Sequence, residues 1–165
     1  MNRIEKGKAI RKGLQRGFQD GTSKIARRKC YGYDVTPDGL LAINPAEAEI
    51  VRWIFERYHA GDSLGQIAGA LESKGVLSPS GKPRWSREAI NKLLSNEKYI
   101  GRVLLQKTIR IGVAQIENDG FMNRYLYADN HEAIISDELF AAVQRQKQQR
   151  SKNQEIRFAE GVTSW

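Results

Sequence analysis

Three polar side chains, those of Arg87, Asn91 and Lys92, lie within six residues of one another in a segment that is predicted to be helical. An arginine can donate two hydrogen bonds to a guanine edge, and an asparagine can pair in a similar way with adenine. Because Arg87 and Asn91 are four residues apart, they share one face of an α-helix. The residue types and their spacing favour contacts with base edges in duplex DNA over acid–base or covalent chemistry.

Two short predicted helices in residues 62–101 position these side chains. Ser63 and Gln66 have the spacing of a capping box, apolar residues follow at helical intervals, and Gly75 is a typical C-terminal stop. Ser86 is the predicted N-cap of the second helix. A packed first helix followed by a second helix with an exposed polar face is typical of helix-turn-helix proteins. The pattern fits equally well two amphipathic helices of an ordinary small domain with a solvated basic loop.

The connection at residues 76–85 is longer than the turn of a simple helix-turn-helix, so we predict an expanded form of that motif. Trp85 comes just before the cap, and we predict that it is a packing anchor rather than a stacking surface. Polar and basic side chains of the connection are candidate phosphate contacts. The candidate DNA contacts of the helix pair and its flanks are Ser80, Lys82, Arg84, Ser86, Arg87, Asn91, Lys92 and Lys98.

The positive charge is concentrated in the N-terminal arm. The formal net charge is +8, and residues 1–30 carry all of it, because they hold ten basic and two acidic side chains while the remainder holds seventeen of each sign. Residues 74–110 form a second basic concentration, with nine basic and two acidic side chains. Such a distribution attracts phosphates at long range; a solubilising tail and a solvated face are the alternative. The candidate phosphate contacts outside the helix pair are Lys24, Arg27, Arg28, Lys107 and Arg110.

The predicted fold class is α+β. It consists of a helical cluster with the expanded helix-turn-helix-like pair, a small antiparallel β-hairpin or sheet, and a C-terminal helix. Alternating apolar residues from Val103 to Val113, a turn at residues 118–120 and a return strand at residues 121–127 predict a long hairpin or a small sheet. Ser136 is the predicted cap of the last helix, and the polar run at residues 145–154 predicts a solvated extension or a linker.

We predict three segments along the chain. Residues 1–29 form a basic helix and linker arm, residues 30–150 a DNA-binding domain, and residues 151–165 a polar tail. In the arm, residues 2–18 are the predicted helix, although three glycines weaken it.

No set of residues predicts catalysis or a cofactor. Cys30 is the only cysteine, and neither His59 nor His131 has a second ligand at metal-binding spacing. We therefore expect no catalytic residue, no metal, no cofactor and no small-molecule substrate. No apolar run approaches the length needed to span a bilayer, so we expect no membrane partner and a cytoplasmic location.

Several motifs resemble the recombinase domain of large serine recombinases. The resemblance covers residues 30–145 in order, and residues 3–29 resemble the end of the long helix and the linker that follow the catalytic domain in that family. The matching motifs are residues 32–34, 44–51, 54–58, 61–64, 67–68, Leu71, Gly75, Gly81, Trp85, residues 96–101, residues 130–135, Leu139, Phe140 and Val143.

The resemblance implies a domain that binds double-stranded DNA at half of an attachment site, in an integrase of a phage or bacterial mobile element. It also implies that the serine that cleaves DNA belongs to an upstream domain that is absent here, as is the cysteine-rich zinc ribbon. The fragment itself is then not an enzyme, and its parent self-associates through the absent domains. A free-standing helix-turn-helix transcriptional regulator and a protein-interaction module are the alternatives.

Overall fold

The chain divides into two compact units. In the computed structural model, one unit comprises Met1–Asn44 and Glu97–Ala133, which we call the sheet unit, and the other comprises Pro45–Asn96 and Ile134–Trp165, which we call the helical unit. The structure describes residues 28–105, 108–111, 114–117, 125–127 and 131–161, the side chains of 103–127 and 159–161 excepted, and also Glu5, Ala9, Lys12, Gly13 and Arg16. These five residues of the arm have helical backbone and are exposed.

Beyond the arm, the described elements are four α-helices, a 3₁₀ turn and three two-stranded antiparallel sheets. This confirms the predicted α+β class. In chain order they are β1 (Tyr33–Val35), β2 (Leu41–Ile43), α1 (Pro45–His59), α2 (Leu64–Ser73), α3 (Arg87–Leu94), the 3₁₀ turn (Glu97–Ile100), β3 (Val103–Leu105), β4 (Thr108–Ile111), β5 (Ala114–Glu117), β6 (Tyr125–Tyr127) and α4 (Asp137–Gly161).

Two buried tyrosines form the centre of the sheet unit. Tyr33 is fully buried and Tyr99 is 2% exposed, and their rings stack with centroids 6.2 Å apart. The Tyr33 hydroxyl contacts the carbonyls of Lys98 (3.1 Å) and Glu132 (2.8 Å), and the Tyr99 hydroxyl donates to the carbonyl of Tyr31 (2.8 Å). Burial raises the pKa of Tyr99, so its hydroxyl remains a donor. These bonds fix the start of β1 to the segments at Lys98 and Glu132.

The β-hairpin differs from the prediction. Thr108–Ile111 pairs with Ala114–Glu117, so the chain reverses between Ile111 and Ala114, within the segment that was predicted to be one strand. The predicted return strand is correct for Tyr125–Tyr127, which pairs with Val103–Leu105. The predicted turn at residues 118–120 lies outside the described residues. The prediction missed the pairing within residues 108–117 because it interpreted the alternating apolar residues up to Val113 as one continuous strand.

The core of the helical unit is formed by one apolar face from each of α1, α2 and α3, together with part of α4. Phe55 of α1 and Phe140 of α4 bring their ring centroids within 6.0 Å. This packing fixes the position of α3 and exposes its opposite face. The buried residues of these helices are Ala48, Val51, Ile54, Phe55, Tyr58, Ile67, Leu71, Ile90, Leu93, Leu94 and Val143.

Helix α4 continues through the polar run that the sequence predicted to be a solvated extension or a linker. It extends over Asp137–Gly161, so residues 145–154 are helical. Residues 151–158 are exposed, as the prediction required, whereas several polar side chains before them are half-buried.

Candidate nucleic-acid interface

Helix α2 has ends that are defined by local hydrogen bonds. The Ser63 hydroxyl accepts a bond from the main-chain N–H of Gln66 (3.2 Å), and the Gln66 side chain accepts one from the N–H of Ser63 (2.8 Å). At the other end Gly75 has a φ of +69°, and Val76 donates its N–H to the carbonyl of Leu71, as in a Schellman motif. Both predicted ends are confirmed.

The connection between α2 and α3 is held by its own hydrogen bonds. Ser78 donates its N–H to the carbonyl of Lys82 (2.8 Å), and the Ser78 hydroxyl accepts the N–H of Lys82 (3.1 Å) and lies 3.1 Å from the hydroxyl of Ser80. Trp85 is 5% exposed, and its indole N–H donates to the carbonyl of Val76 (3.0 Å). The packing role predicted for Trp85 is therefore confirmed.

Helix α3 presents a polar face opposite its buried one. The Ser86 hydroxyl accepts the N–H of Ala89 (3.0 Å) and caps the helix as predicted. Arg87 and Asn91 are exposed on one face. Within the described part of the chain, neither side chain forms a hydrogen bond or an ion pair. Their polar atoms are therefore available to an external partner.

Two of the basic side chains that were predicted to contact DNA form ion pairs with carboxylates of the chain. Lys92 lies 2.7 Å from Glu88, and Arg84 lies 3.2 Å from Glu72. The hydrogen bond and charge of Lys92 lower the pKa of Glu88. The side chains of Lys92 and Glu88 are about three-quarters exposed, and that of Arg84 is 82% exposed. Ion pairs between exposed side chains contribute little to stability because water screens them, so either cation can exchange its carboxylate for a phosphate at small cost.

The structure thus separates the predicted contacts of the helical unit into two groups. Lys82, Arg87 and Asn91 have side chains without a partner among the described residues. The side chains with an internal partner are Ser80, Arg84, Ser86 and Lys92. All seven are exposed, and all lie between the middle of the connection and the second turn of α3.

The remaining predicted contacts belong to the sheet unit. Arg28 is exposed, and Lys98 is half-buried with its ammonium 3.0 Å from the Arg28 carbonyl. Arg110 lies in β4, of which the backbone alone is described. The predictions for Lys24, Arg27 and Lys107 fall outside the described residues.

Helix α4 binds the C-terminal end of α3. The Gln144 amide donates to the carbonyl of Leu94 (2.6 Å), and the Lys147 ammonium donates to the carbonyl of Asn91 (3.2 Å) and to the hydroxyl of Ser95. The last four carbonyls of a helix lack partners within it and carry partial negative charge, so these donors satisfy and stabilise them. Burial lowers the pKa of Lys147.

The same stretch of α4 binds the C-terminal end of α1. Gln146 donates to the carbonyl of Tyr58 (3.0 Å), and Arg150 donates to the carbonyl of Asp62 (2.9 Å) with its guanidinium carbon 4.2 Å from the Tyr58 ring centroid. Polar residues of α4 therefore hold two helix ends together. The sequence prediction missed them because a polar run without apolar spacing gives no signal of packing.

The described residues were also compared with the requirements of a metal site and of a membrane-spanning helix. No group of three or more His, Cys, Asp or Glu side chains there could hold a metal ion. Among the same residues, no helix is long and apolar enough to cross a membrane.

Comparison with known proteins identifies the family of the chain and similar solved structures, two of which are described below. Residues 45–150 match the family Recombinase. A crystal structure of an LSR–DNA complex is 26% identical, with a TM-score of 0.50, and the match covers 75% of this chain and 33% of that one. A structure from work on the sequence requirements of the Listeria innocua prophage attP site is 25% identical, with a TM-score of 0.52, and the match covers 89% and 52%. The chain therefore spans about a third and about half of the two proteins.

Proposed function

This chain belongs to the recombinase family, and from that premise we propose that it binds duplex DNA sequence-specifically at one half of an attachment site. The two similar structures support the proposal, because one is a DNA complex and the other concerns an attachment site. The observation that carries it is the face of α3 on which Arg87 and Asn91 stand exposed without partners among the described residues.

In this proposal α3 lies in the major groove. Arg87 contacts a guanine and Asn91 an adenine, since these pairings match donors and acceptors in two places each. Helix α4 supports the arrangement, because Lys147 and Gln144 hold the C-terminal end of α3 and leave its N-terminal half exposed. A rigid helix is needed, since base contacts require a fixed geometry.

Phosphate contacts come from the connection and from the flank of α3. Lys82 supplies an ammonium without a partner among the described residues, and Arg84 and Lys92 exchange their exposed carboxylates for phosphates. These contacts orient the domain and add affinity for any duplex, and each one makes binding more dependent on salt.

The proposal assigns DNA recognition to this chain and the strand-cleaving serine to another domain of the recombinase. Self-association of the parent protein and its cytoplasmic location belong to the same proposal. A recombinase must hold two DNA sites together, and a domain that binds one half-site supplies only the recognition step.

A selection from a random duplex pool at near-physiological salt tests the proposal. We expect an enriched motif that binds at least about a thousandfold more tightly than a scrambled duplex. Arg87→Ala should cost about 1–3 kcal/mol and relax preference at one base pair, whereas Lys82→Ala should weaken all duplexes alike and lower the salt slope by about 1.

Two results would contradict the proposal. If no motif is enriched and every duplex shows the same steep salt dependence, the chain is a non-specific phosphate binder. If Arg87→Ala and Lys82→Ala weaken the selected and scrambled duplexes by equal factors, Arg87 contacts no base. Asn91→Ala supplies an independent check, because its loss of preference should fall on a different base pair.

A further inference from the structure

We infer that Gly65 of α2 is a positioning residue that sets the orientation of the Arg87 side chain. A Cβ atom built on Gly65 would lie 3.1 Å from one terminal nitrogen of Arg87, 3.2 Å from its Nε and 3.4 Å from its Cζ. The guanidinium therefore occupies the space that any other residue at position 65 would need. This inference rests on the proposed function, because it concerns how Arg87 is presented to a base.

The contact with Gly65 orients Arg87 without consuming its donors. Arg87 forms no hydrogen bond or ion pair with a described residue, so the N–H groups of the guanidinium remain open while its carbon and nitrogen atoms pack against α2. A free arginine side chain loses conformational entropy when it becomes fixed. A side chain that is already restricted loses less on binding, which increases both affinity and discrimination.

A methyl group at position 65 would displace the guanidinium by a few tenths of an ångström. Three contacts between 3.1 and 3.4 Å are tighter than ordinary van der Waals separations, and the flexible arginine is the group that gives way. Bidentate base contacts tolerate errors of only about 0.5 Å and 10–20°. The displacement is therefore small for the fold but comparable to the tolerance of a base contact.

Apart from this contact, a glycine at position 65 lowers the stability of α2. It destabilises a helix interior relative to alanine, because the unfolded chain gains more freedom. Gly69 lies one turn further along α2, and a Cβ there would meet nothing within 4 Å. Gly69→Ala is thus a matched control, since it makes the same chemical change in the same helix without touching Arg87.

The experiment compares Gly65→Ala and Gly69→Ala, each in the wild-type and in the Arg87→Ala background. The duplexes are the selected site, the site changed at the base pair that depends on Arg87, and a scrambled control. We expect Gly65→Ala to lower discrimination at that base pair roughly fivefold, within the range of one bidentate contact. Affinity for the scrambled duplex should stay the same, and neither variant should melt below the wild type.

The double-variant background shows whether Gly65 acts through Arg87. In that background Gly65→Ala should cause no further loss, and Gly69→Ala should leave discrimination unchanged in both backgrounds. Unchanged discrimination in Gly65→Ala, or an equal loss with and without Arg87, would overturn the inference.

A readout without DNA separates this inference from the proposed function. The NMR signal of the Arg87 Nε–H reports how restricted the side chain is, and we expect its order parameter to fall in Gly65→Ala but not in Gly69→Ala. An unchanged order parameter in Gly65→Ala would refute the positioning role even if a target site is found. If the order parameter falls in Gly65→Ala but no DNA motif is enriched, Gly65 still positions the Arg87 side chain, and only the proposed DNA recognition is refuted.

Discussion

Replacing Lys147 with methionine tests whether α4 holds α3, the proposed recognition helix. Methionine retains most of the aliphatic stem but removes the ammonium, which donates to the Asn91 carbonyl and the Ser95 hydroxyl at the end of α3. Hydrogen bonds to a charged group contribute about 1.5–3 kcal/mol. Burial of the ammonium, which lowers the pKa of Lys147, offsets part of this. We expect a net loss of about 1–2 kcal/mol, since both effects act on a half-buried group.

The assay is urea unfolding and thermal melting of Lys147→Met beside Lys152→Met. Lys152 lies on the same helix and is exposed, so its replacement removes the same charge without removing a contact to α3. For a chain of this length each kcal/mol corresponds to about 2–4 °C in the melting temperature. Amide hydrogen exchange should rise in the last turn of α3 in Lys147→Met alone. Lys147→Met should bind the selected duplex more weakly than Lys152→Met does, and the two variants should bind the scrambled duplex with equal affinity.

The pH dependence provides a second readout. Since the pKa of Lys147 is lower in the folded protein than the usual 10.5, the unfolded chain holds the proton to higher pH. The free energy of unfolding of the wild type should therefore rise as the pH increases from the lowered pKa toward 10.5. Lys147→Met should not show this rise. Equal stability, equal exchange in α3 and equal pH profiles in the two variants would refute the role of Lys147.

Three further predictions concern other contacts. Gly101 has a φ of +77°, and a Cβ there would lie 2.6 Å from the His131 carbonyl oxygen, so Gly101→Ala should lower the free energy of unfolding by at least about 2 kcal/mol. Gly75 has a φ of +69° but open space around it, so Gly75→Ala should lower the free energy of unfolding by about 1 kcal/mol in the same urea assay. Burial lowers the pKa of His131, so as the pH falls the unfolded chain binds this proton before the folded protein does, and the free energy of unfolding should decrease below about pH 6.5. His131→Gln should reduce this pH dependence. An unchanged slope of stability against pH in His131→Gln would contradict the prediction. Glu88→Gln removes the carboxylate 2.7 Å from Lys92, so Lys92 no longer exchanges an ion pair for a phosphate. Binding to every duplex should therefore tighten while the salt slope stays that of the wild type, as measured by fluorescence anisotropy. Unchanged affinity for every duplex would show that Lys92 meets no phosphate.

The residues that the sequence placed correctly act over one or two helical turns. The capping box of Ser63 and Gln66 and the cap at Ser86 were predicted because each is a contact between near neighbours in the chain. The glycine stop at Gly75 follows from backbone conformation alone. The burial of Trp85 was predicted from its position before a cap, although its partner, the Val76 carbonyl, was not. The family was also identified from motifs in the sequence, and residues 45–150 match it.

Two kinds of contact in the structure were not part of the sequence prediction. The pairing of Thr108–Ile111 with Ala114–Glu117 was missed because the alternating apolar residues up to Val113 were interpreted as one continuous strand. Arg84 and Lys92 remain predicted phosphate contacts. The structure adds that Arg84 pairs with Glu72, whereas the pair of Lys92 with Glu88 has the i, i+4 spacing that a helix brings together.

The sequence by itself determined the helix ends, the amphipathic faces and the concentration of basic residues around the predicted recognition helix, because these follow from spacing and composition. Tertiary structure alone decided that Lys147, 56 residues after Asn91, donates to the end of α3. It also decided that Gly65 leaves room for the Arg87 guanidinium. Both contacts depend on how helices pack, and a polar residue or a glycine carries no signal of its distant partner until the apolar faces have brought the helices together.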